Sequence, residues 1–380
     1  MNLGLYIHIP FCLRKCLYCD FPSVAGREEL YDTYITALGR EFAGWGGVLS
    51  GCEVDTVYVG GGTPTALPAG LLARLGDILR AYVPMAAVEE FTVEANPGTL
   101  TAEKLAVLRA AGVNRLSLGV QAFDDKVLMA AGRIHSADEA LAAVELAAAA
   151  GFANLSLDLM YGLPGQSLAS FRSGLRQAVA LPVSHLSVYG LKVEEGTPFA
   201  CRQAKGELPL PDEDEEEAMY ELATTFLPDC GLDRYEISNF ARSGAACRHN
   251  LKYWRYRPYL GLGAAAHSFW QGERLANIAA VDEYIRLVLA GELPLAGRER
   301  PDRLTAMAEY AFLALRTAAG LDYADFAACF GESFGDRYGG TVADLAGRGL
   351  LTARADGIRL TAAGMKYGNV VFASFLPDKG

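Results

Sequence analysis

Over its first half the chain alternates short apolar runs, rich in Val, Ile, Leu and Tyr, with longer stretches of helical periodicity. This is the pattern of repeated βα units around a parallel sheet. Six runs read as strands, over residues 3–10, 54–61, 90–96, 115–121, 154–161 and 185–191, with helices between them. Residues 140–150 form the most hydrophobic stretch. Glu139 precedes it and Glu145 interrupts it, so it reads as an amphipathic helix packed on one face rather than a membrane span. The acidic run Asp212-Glu-Asp-Glu-Glu-Glu217 follows Pro211 and suits the positive end of a helix dipole, so it is a solvated first turn with no site assigned. From about Arg300 the pattern turns helical, closing with the stretch from Leu350 to Thr361. The expected division is an α/β barrel over residues 1–195, an accessory region over 196–300 and a C-terminal helical module over 301–380.

Composition narrows the partners. A chain of 380 residues, 51% hydrophobic and without a transmembrane segment, is expected to be globular, soluble and cytoplasmic. Its net charge of −11 disfavours phosphate-backbone binding as the main task, so no nucleic acid partner is expected. From Pro301 onward there are eight basic and nine acidic residues, which fits a packing lid or partner surface better than a DNA reader.

In α/β barrels chemistry gathers at the C-terminal strand ends, and the singular residues of this chain fall there. Cys12-Leu-Arg-Lys-Cys16-Leu-Tyr-Cys19 follows the first strand. Three thiolates at CxxxCxxC spacing can hold three corners of a [4Fe–4S] cube and leave the fourth iron without a protein ligand. A structural zinc site needs four ligands, usually from two short clusters, but Cys52, Cys201, Cys230, Cys247 and Cys329 stand alone. A disulfide framework does not suit so long a chain without a secretory signal, and these five read as reduced core thiols.

Gly60-Gly-Gly-Thr-Pro64 follows the second strand, Glu94-Ala-Asn-Pro97 the third, Gly119-Val-Gln121 the fourth and Asp158-Leu-Met-Tyr-Gly-Leu-Pro164 the fifth. Taken singly, each has an ordinary structural explanation: a tight turn for the glycines, a helix cap for Glu94 or Asp158. Together, around one rim and facing a three-cysteine loop, they read as a pocket. An open iron favours a small ligand offering an amine and a carboxylate, and Glu94 could receive the ammonium.

With these motifs the chain resembles radical S-adenosylmethionine (SAM) proteins. Within them it resembles the coproporphyrinogen III oxidase-like family, the group that also contains the HemW-type haem chaperones. The likeness runs from Tyr6 to about Phe375. It implies a partial (β/α)6 barrel of α/β class with a winged-helix-like C-terminal module. Cys12, Cys16 and Cys19 would hold the [4Fe–4S] cluster, SAM would chelate the fourth iron, and reduction would cleave SAM to methionine and a 5′-deoxyadenosyl radical. By the same resemblance Tyr6 and Tyr18 flank the cofactor, Gly61, Gly62 and Thr63 contact its methionine portion, and Glu94, Gln121, Arg133 and Asp158 match further SAM-contacting positions.

Two departures set the chain apart from the oxidase. The oxidase has a further cysteine in CxxxCxxCxC, where this chain continues Cys19-Asp20-Phe21, and Phe21 cannot replace a thiol. The oxidase also has a longer segment before its cluster loop and binds a second SAM, whereas only a strand's length precedes Cys12 here. His249-Asn-Leu-Lys-Tyr-Trp254 reproduces instead the HNxxYW motif of the HemW-type haem chaperones. That motif places an imidazole able to ligate haem iron beside Tyr253 and Trp254, whose flat faces could pack on a porphyrin. His267 is a second haem candidate, and His8, inside the first strand, is structural. The resemblance thus implies a chaperone that binds haem as cargo and passes it to acceptor haemoproteins such as respiratory enzymes. It admits a homodimer and a peripheral membrane location. The competing expectation is an oxygen-independent coproporphyrinogen III oxidase, which decarboxylates two propionates oxidatively; Phe21 and the HNxxYW motif weigh against that activity. No residue is assigned a catalytic role of its own.

Overall fold

Each of the six apolar runs forms a strand, with ends within one residue of those expected. They are β1 (Asn2–Ile9), β2 (Glu53–Gly61), β3 (Glu90–Ala95), β4 (Arg115–Gln121), β5 (Asn154–Tyr161) and β6 (His185–Gly190). They lie parallel and side by side in chain order. The structure is a computed structural model and describes residues 2–377. Between the strands run α1 (Tyr31–Gly44), α2 (Ala69–Tyr82), α3 (Ala102–Ala111), α4 (Ala137–Ala149) and α5 (Leu168–Ala180). The alanine-rich α4 is opened by a Ser136–Glu139 capping box and buries Ala140, Ala143, Val144 and Ala147 along one face, as its spacing predicts. Asp212 caps α6 (Glu213–Asp229) by accepting the Glu215 N–H, which gives the acidic run its structural role.

The strands have two unlike faces. Leu5 and Ile7, Val57 and Val59, Phe91 and Val93, Leu116 and Leu118, Leu155 and Leu157, and Leu186 and Val188 join the main hydrophobic core with the helices. The positions between them, Thr56, Glu90, Thr92, Arg115, Ser117, Ser156, His185 and Ser187, are polar yet at most 4% exposed. Strand side chains alternate, so this polar set shares the opposite, inner face. Such a face is tolerable only if its groups find partners. His185, for example, bonds Ser156 Oγ through Nδ1 at 2.7 Å and the Tyr235 hydroxyl through Nε2 at 2.9 Å.

The sheet extends past the six strands to twelve. Beyond β6, β8 (Asn239–Ala241) runs antiparallel and carries β7 (Asp233–Arg234) on its outer side. Beyond β1, β9 (Tyr259–Leu262) runs parallel to it, followed by antiparallel β10 (His267–Trp270), β11 (Glu273–Asn277) and β12 (Leu295–Glu299). Residues 196–300 thus supply both edges of the main sheet.

The HNxxYW motif forms α7 (Arg248–Trp254), docked at the N-terminal ends of β2 and β3. The Glu90 carboxylate accepts the Arg248 N–H at 2.9 Å and the His249 N–H at 3.0 Å, an anion at the positive end of a helix. Lys252 Nζ meets Asp55 at 2.7 Å, with side chains only 10% and 16% exposed. Removing one partner of such a pair leaves a desolvated charge, so Lys252→Met should lower unfolding stability by about 3 kcal/mol in a denaturant titration. Adding Asp55→Asn should restore part of the loss.

The C-terminal module runs α9 (Arg303–Leu315), β13 (Leu321–Asp322), α10 (Tyr323–Phe330), α11 (Phe334–Gly347), β14 (Leu351–Ala353) and β15 (Gly357–Leu360), with α8 (Val281–Leu289) preceding it. Its three strands form a separate antiparallel sheet, and the element order is that of a winged helix. It has its own core around Phe326, Phe334, Leu345 and Phe375. It meets the helix that carries the HNxxYW motif where the Arg316 guanidinium lies 4.5 Å from the centre of the Trp254 ring. Among the described residues no helix is long and apolar enough to cross a membrane.

Candidate cofactor site

The cysteine loop leaves the C-terminal end of β1 and is held at its base and its middle. Phe11–Cys12 pairs with Val24–Ala25 in a short parallel ladder. The Leu17 N–H donates to the Ala131 carbonyl at 3.1 Å, and the Phe199 N–H donates to the Leu17 carbonyl at 3.1 Å. Opposite the loop, the ends of β2 to β5 enclose a cavity of about 320 Å³. Cys12, Cys16, Cys19, Tyr18, Gly61, Gly62, Thr63, Glu94, Gln121, Arg133 and Asp158 all line it. Tyr6 does not. Its hydroxyl bonds His8 Nδ1 at 3.0 Å, and its ring stacks at 6.2 Å on Tyr58, behind the cavity wall.

The three thiols are free and half-buried. Burial pushes the Cys12 and Cys19 thiols up, while the Thr63 and Ser23 hydroxyls draw Cys12 down and the Phe21 backbone draws Cys19 down. Thr63 Oγ1 donates to Cys12 Sγ at 3.7 Å, and Arg133 Nη1 donates to Cys16 Sγ at 3.1 Å. Asn96 ties these two together, donating to Thr63 Oγ1 at 2.8 Å and accepting from Arg133 Nη2 at 2.6 Å. Arg133 also donates to the Gly119 carbonyl, and its Nε is buried without a partner. Among the described residues no three His, Cys, Asp or Glu side chains converge as ligands of a single ion. A cubane carries its thiolates on separate corners, and the donor set is three thiols, a cation at one sulfur and an open cavity beyond. These residues fit a [4Fe–4S] cluster.

The glycine turn is sterically required. Gly61 has φ +112°, and a Cβ there would stand 2.6 Å from the His8 ring; at Gly62 one would stand 2.6 Å from the Phe11 carbonyl oxygen. The backbone can therefore close on the cysteine loop, and the Gly61 N–H donates to Glu94 Oε2 at 3.1 Å. Glu94 Oε1 accepts from the Tyr58 hydroxyl at 2.7 Å. Burial first, then the charge of Asp158, raises the Glu94 carboxyl to about 7, against the pull of Tyr58, Gly61 and Arg115. A carboxyl so poised exchanges its proton for a ligand ammonium at little cost. Asp158 is likewise raised by burial and held by Ser187 and Ser117, the latter at 3.3 Å. Gln121 ends β4 at φ +70°, a left-handed conformation uncommon for a non-glycine residue, next to a register shift against β5.

Asn96, Ser117, Tyr189 and Lys192 also line the cavity and were not singled out from the sequence. Asn96 had a signal, since it stands in the Glu94–Pro97 turn. Ser117 had one too, as an inward position of β4.

The haem candidates divide. His249 is wholly buried: Nδ1 bonds Thr56 Oγ1 at 3.0 Å, Nε2 bonds the Tyr253 hydroxyl at 2.8 Å, and no nitrogen is left for iron. Thr56 stands five residues before the end of β2, about 16 Å below the rim. In this conformation His249 is committed to Thr56 and Tyr253, and the Tyr253 hydroxyl to the same cluster. Trp254 packs under Arg316, and its indole N–H is buried without a partner. His267 differs: it opens β10 beside Gly261, near the C-terminal end of β9, and is exposed. Of the five histidines the other four are at most 5% exposed. His8 bonds the Pro22 carbonyl at 2.9 Å, the structural role expected of it.

Comparison with known proteins agrees with this geometry. The model of the radical SAM superfamily matches residues 6–177, and that of the HemN C-terminal domain matches residues 302–367. The "Heme chaperone HemW" of Bacillus subtilis is 40% identical over 98% of this chain and 99% of its own length. The protein of the same name from Escherichia coli is 43% identical over 70% of this chain and 69% of its own length. The solved structure of coproporphyrinogen III oxidase (HemN) from Escherichia coli, a radical SAM enzyme, superposes with a TM-score of 0.86 at 26% identity. It covers 98% of this chain and 90% of that one. With near-complete coverage by relatives of one name and both family models in place, the chain belongs to the radical SAM superfamily and, within it, to the family of Heme chaperone HemW proteins.

Proposed function

We propose that this protein binds haem and passes it to acceptor haemoproteins such as respiratory enzymes, with a [4Fe–4S] cluster and SAM seated at the rim described above. Radical SAM membership brings those two cofactors. Cys12, Cys16 and Cys19 would hold the cluster, which when bound would supply reducing power and a Lewis-acidic iron to SAM. Glu94 and the Gly61–Thr63 turn would receive the amino end of SAM, with Arg133 lining the same cavity. Gln121, Asp158 and Tyr18 complete the walls, and Tyr6 supports Tyr58 from behind.

The observation that carries the chaperone reading is the full-length match to the Bacillus subtilis relative, which its name describes as a heme chaperone. Phe21 stands in the cavity wall, 62% exposed, where the oxidase pattern has a further thiol. Haem contact then falls to exposed side chains, of which His267 is the imidazole and Phe21 offers an apolar face. His267→Ala should weaken haem binding by about tenfold in an absorption titration, the scale of one lost metal ligand contact. Function itself is tested by mixing haem-loaded protein with an apo-haemoprotein and following the acceptor's Soret spectrum. Transfer faster than from free haem supports the reading, and retention of the haem counts against it.

The likeness to coproporphyrinogen III oxidase sustains a second reading, a decarboxylating enzyme. It predicts protoporphyrinogen from coproporphyrinogen III, which the chaperone reading does not.

A further inference from the structure

His249 lacks a free nitrogen for haem, but its surroundings place it in contact with the machinery of the rim. Its ring lies 5.3 Å from the ring of Tyr58 at an interplanar angle of 30°, while Tyr253 meets it edge-on at 5.1 Å. The ring of Tyr6 also stacks on Tyr58, at 6.2 Å and 29°. Thr56 and Tyr253 fix the imidazole through both nitrogens, so the surface it presents to Tyr58 cannot turn. The phenol held in this way ends in a hydroxyl that donates to Glu94 Oε1 at 2.7 Å, and Glu94 lines the cavity.

We propose that His249 is a positioning residue for the SAM site: by clamping the Tyr58 ring it aims the Tyr58 hydroxyl at Glu94 and so holds that carboxylate ready for the amino group of SAM. This rests on the reading of Glu94 as a SAM contact. The helix that carries His249 is anchored at one end by Glu90 and at the other by Trp254 under Arg316, so the clamp is supported by the main sheet and by the C-terminal module together. The HNxxYW motif then has a mechanical reason for its composition. The histidine offers two hydrogen bonds and a flat face, the tyrosine hydroxyl holds one ring nitrogen, and the tryptophan takes the load from the next domain.

The charged and titratable groups around Glu94 are Tyr58 from β2, Asp158 from β5 and Arg115 from β4, with Tyr6 from β1 and Tyr253 from α7 nearby. His249 does not titrate with it, because burial and Lys252 hold the imidazole down at about 3. The Tyr58 hydrogen bond favours the carboxylate form of Glu94, so losing it raises the carboxyl pKa.

The test reads that carboxyl directly, by infrared difference titration of the full-length protein, with Glu94→Gln identifying the band. Tyr58→Phe should move the midpoint up by about one pH unit. His249→Ala should move it in the same direction, and the double variant no further than Tyr58→Phe alone, because both act through one hydroxyl. His249→Phe, which keeps the stacked ring, should restore most of the native midpoint. If His249→Ala does not fold, Tyr253→Phe removes the hydroxyl on Nε2 with almost no change of volume and should shift the midpoint by a smaller amount in the same direction. An unchanged midpoint in the folded His249 or Tyr253 variants, or full additivity with Tyr58→Phe, overturns the proposal. Equilibrium dialysis of SAM with the cluster-loaded proteins separates the two layers. If Glu94→Gln leaves SAM affinity intact, the site reading fails, whatever the infrared midpoint does.

Discussion

Cys16→Ala protein, reconstituted anaerobically with iron and sulfide, should lack the [4Fe–4S] absorption and, after reduction, the cluster's EPR signal. Its iron content should fall from about four per chain to background. The expectation is this large because the site has no spare ligand: the other five cysteines lie outside the cavity wall, and the three that line it must each take one corner. The loss should be specific to the cluster. Cys16 is only partly buried, and the loop is tied by the backbone of Leu17 to Ala131 and Phe199, so the variant should fold with a denaturation midpoint close to native. A normal cluster in Cys16→Ala would mean that these cysteines had been misassigned.

Glu90→Ala should cost about 3–5 kcal/mol of unfolding stability, read from a denaturant titration. The carboxylate is 3% exposed and accepts from the Cys247 thiol at 3.4 Å and from the N–H groups of Arg248 and His249. Its charge also favours the cationic form of the wholly buried Arg115. Alanine leaves those donors unpaired, removes a negative partner from a desolvated guanidinium and uncaps α7 at once. Glu90→Gln keeps an acceptor and the volume and should lose less. A loss below 1 kcal/mol in the alanine variant would mean that the polar inner face does not depend on this residue.

The parallel centre of the fold was legible because period and punctuation agree. All of the strands but β4 are closed by a glycine, proline or asparagine turn, and the capped helices between them read at helical spacing. The sequence was less transparent about what the strands enclose. Runs such as Glu90-Phe-Thr-Val-Glu-Ala95 and Arg115-Leu-Ser-Leu-Gly-Val-Gln121 look apolar on average, yet Glu90, Thr92, Arg115 and Ser117 alternate with the core residues and belong to a buried polar layer. Read at period two, they point to Arg115 and Ser117 as inward residues. The edge strands escaped notice because they are short and pair with partners far along the chain; Gly4 and Tyr259, for instance, are neighbours in the sheet.

At the site, the cysteine spacing and the glycine turn carried their chemistry openly, since each is a local arrangement. Asn96 was harder to see, because its value lies in joining Thr63 to Arg133 across three strand ends. The HNxxYW motif was legible as a motif but not as a place in the fold: its burial depends on where Glu90 and Asp55, far along the chain, dock the helix.

Anaerobic incubation of the cluster-loaded, reduced protein with SAM and coproporphyrinogen III tests the central claim most directly, with porphyrin products followed by chromatography. The account predicts that coproporphyrinogen III is recovered intact, with no protoporphyrinogen formed. Stoichiometric loss of two carboxyl groups would make the protein an oxidase and contradict its reading as a haem chaperone.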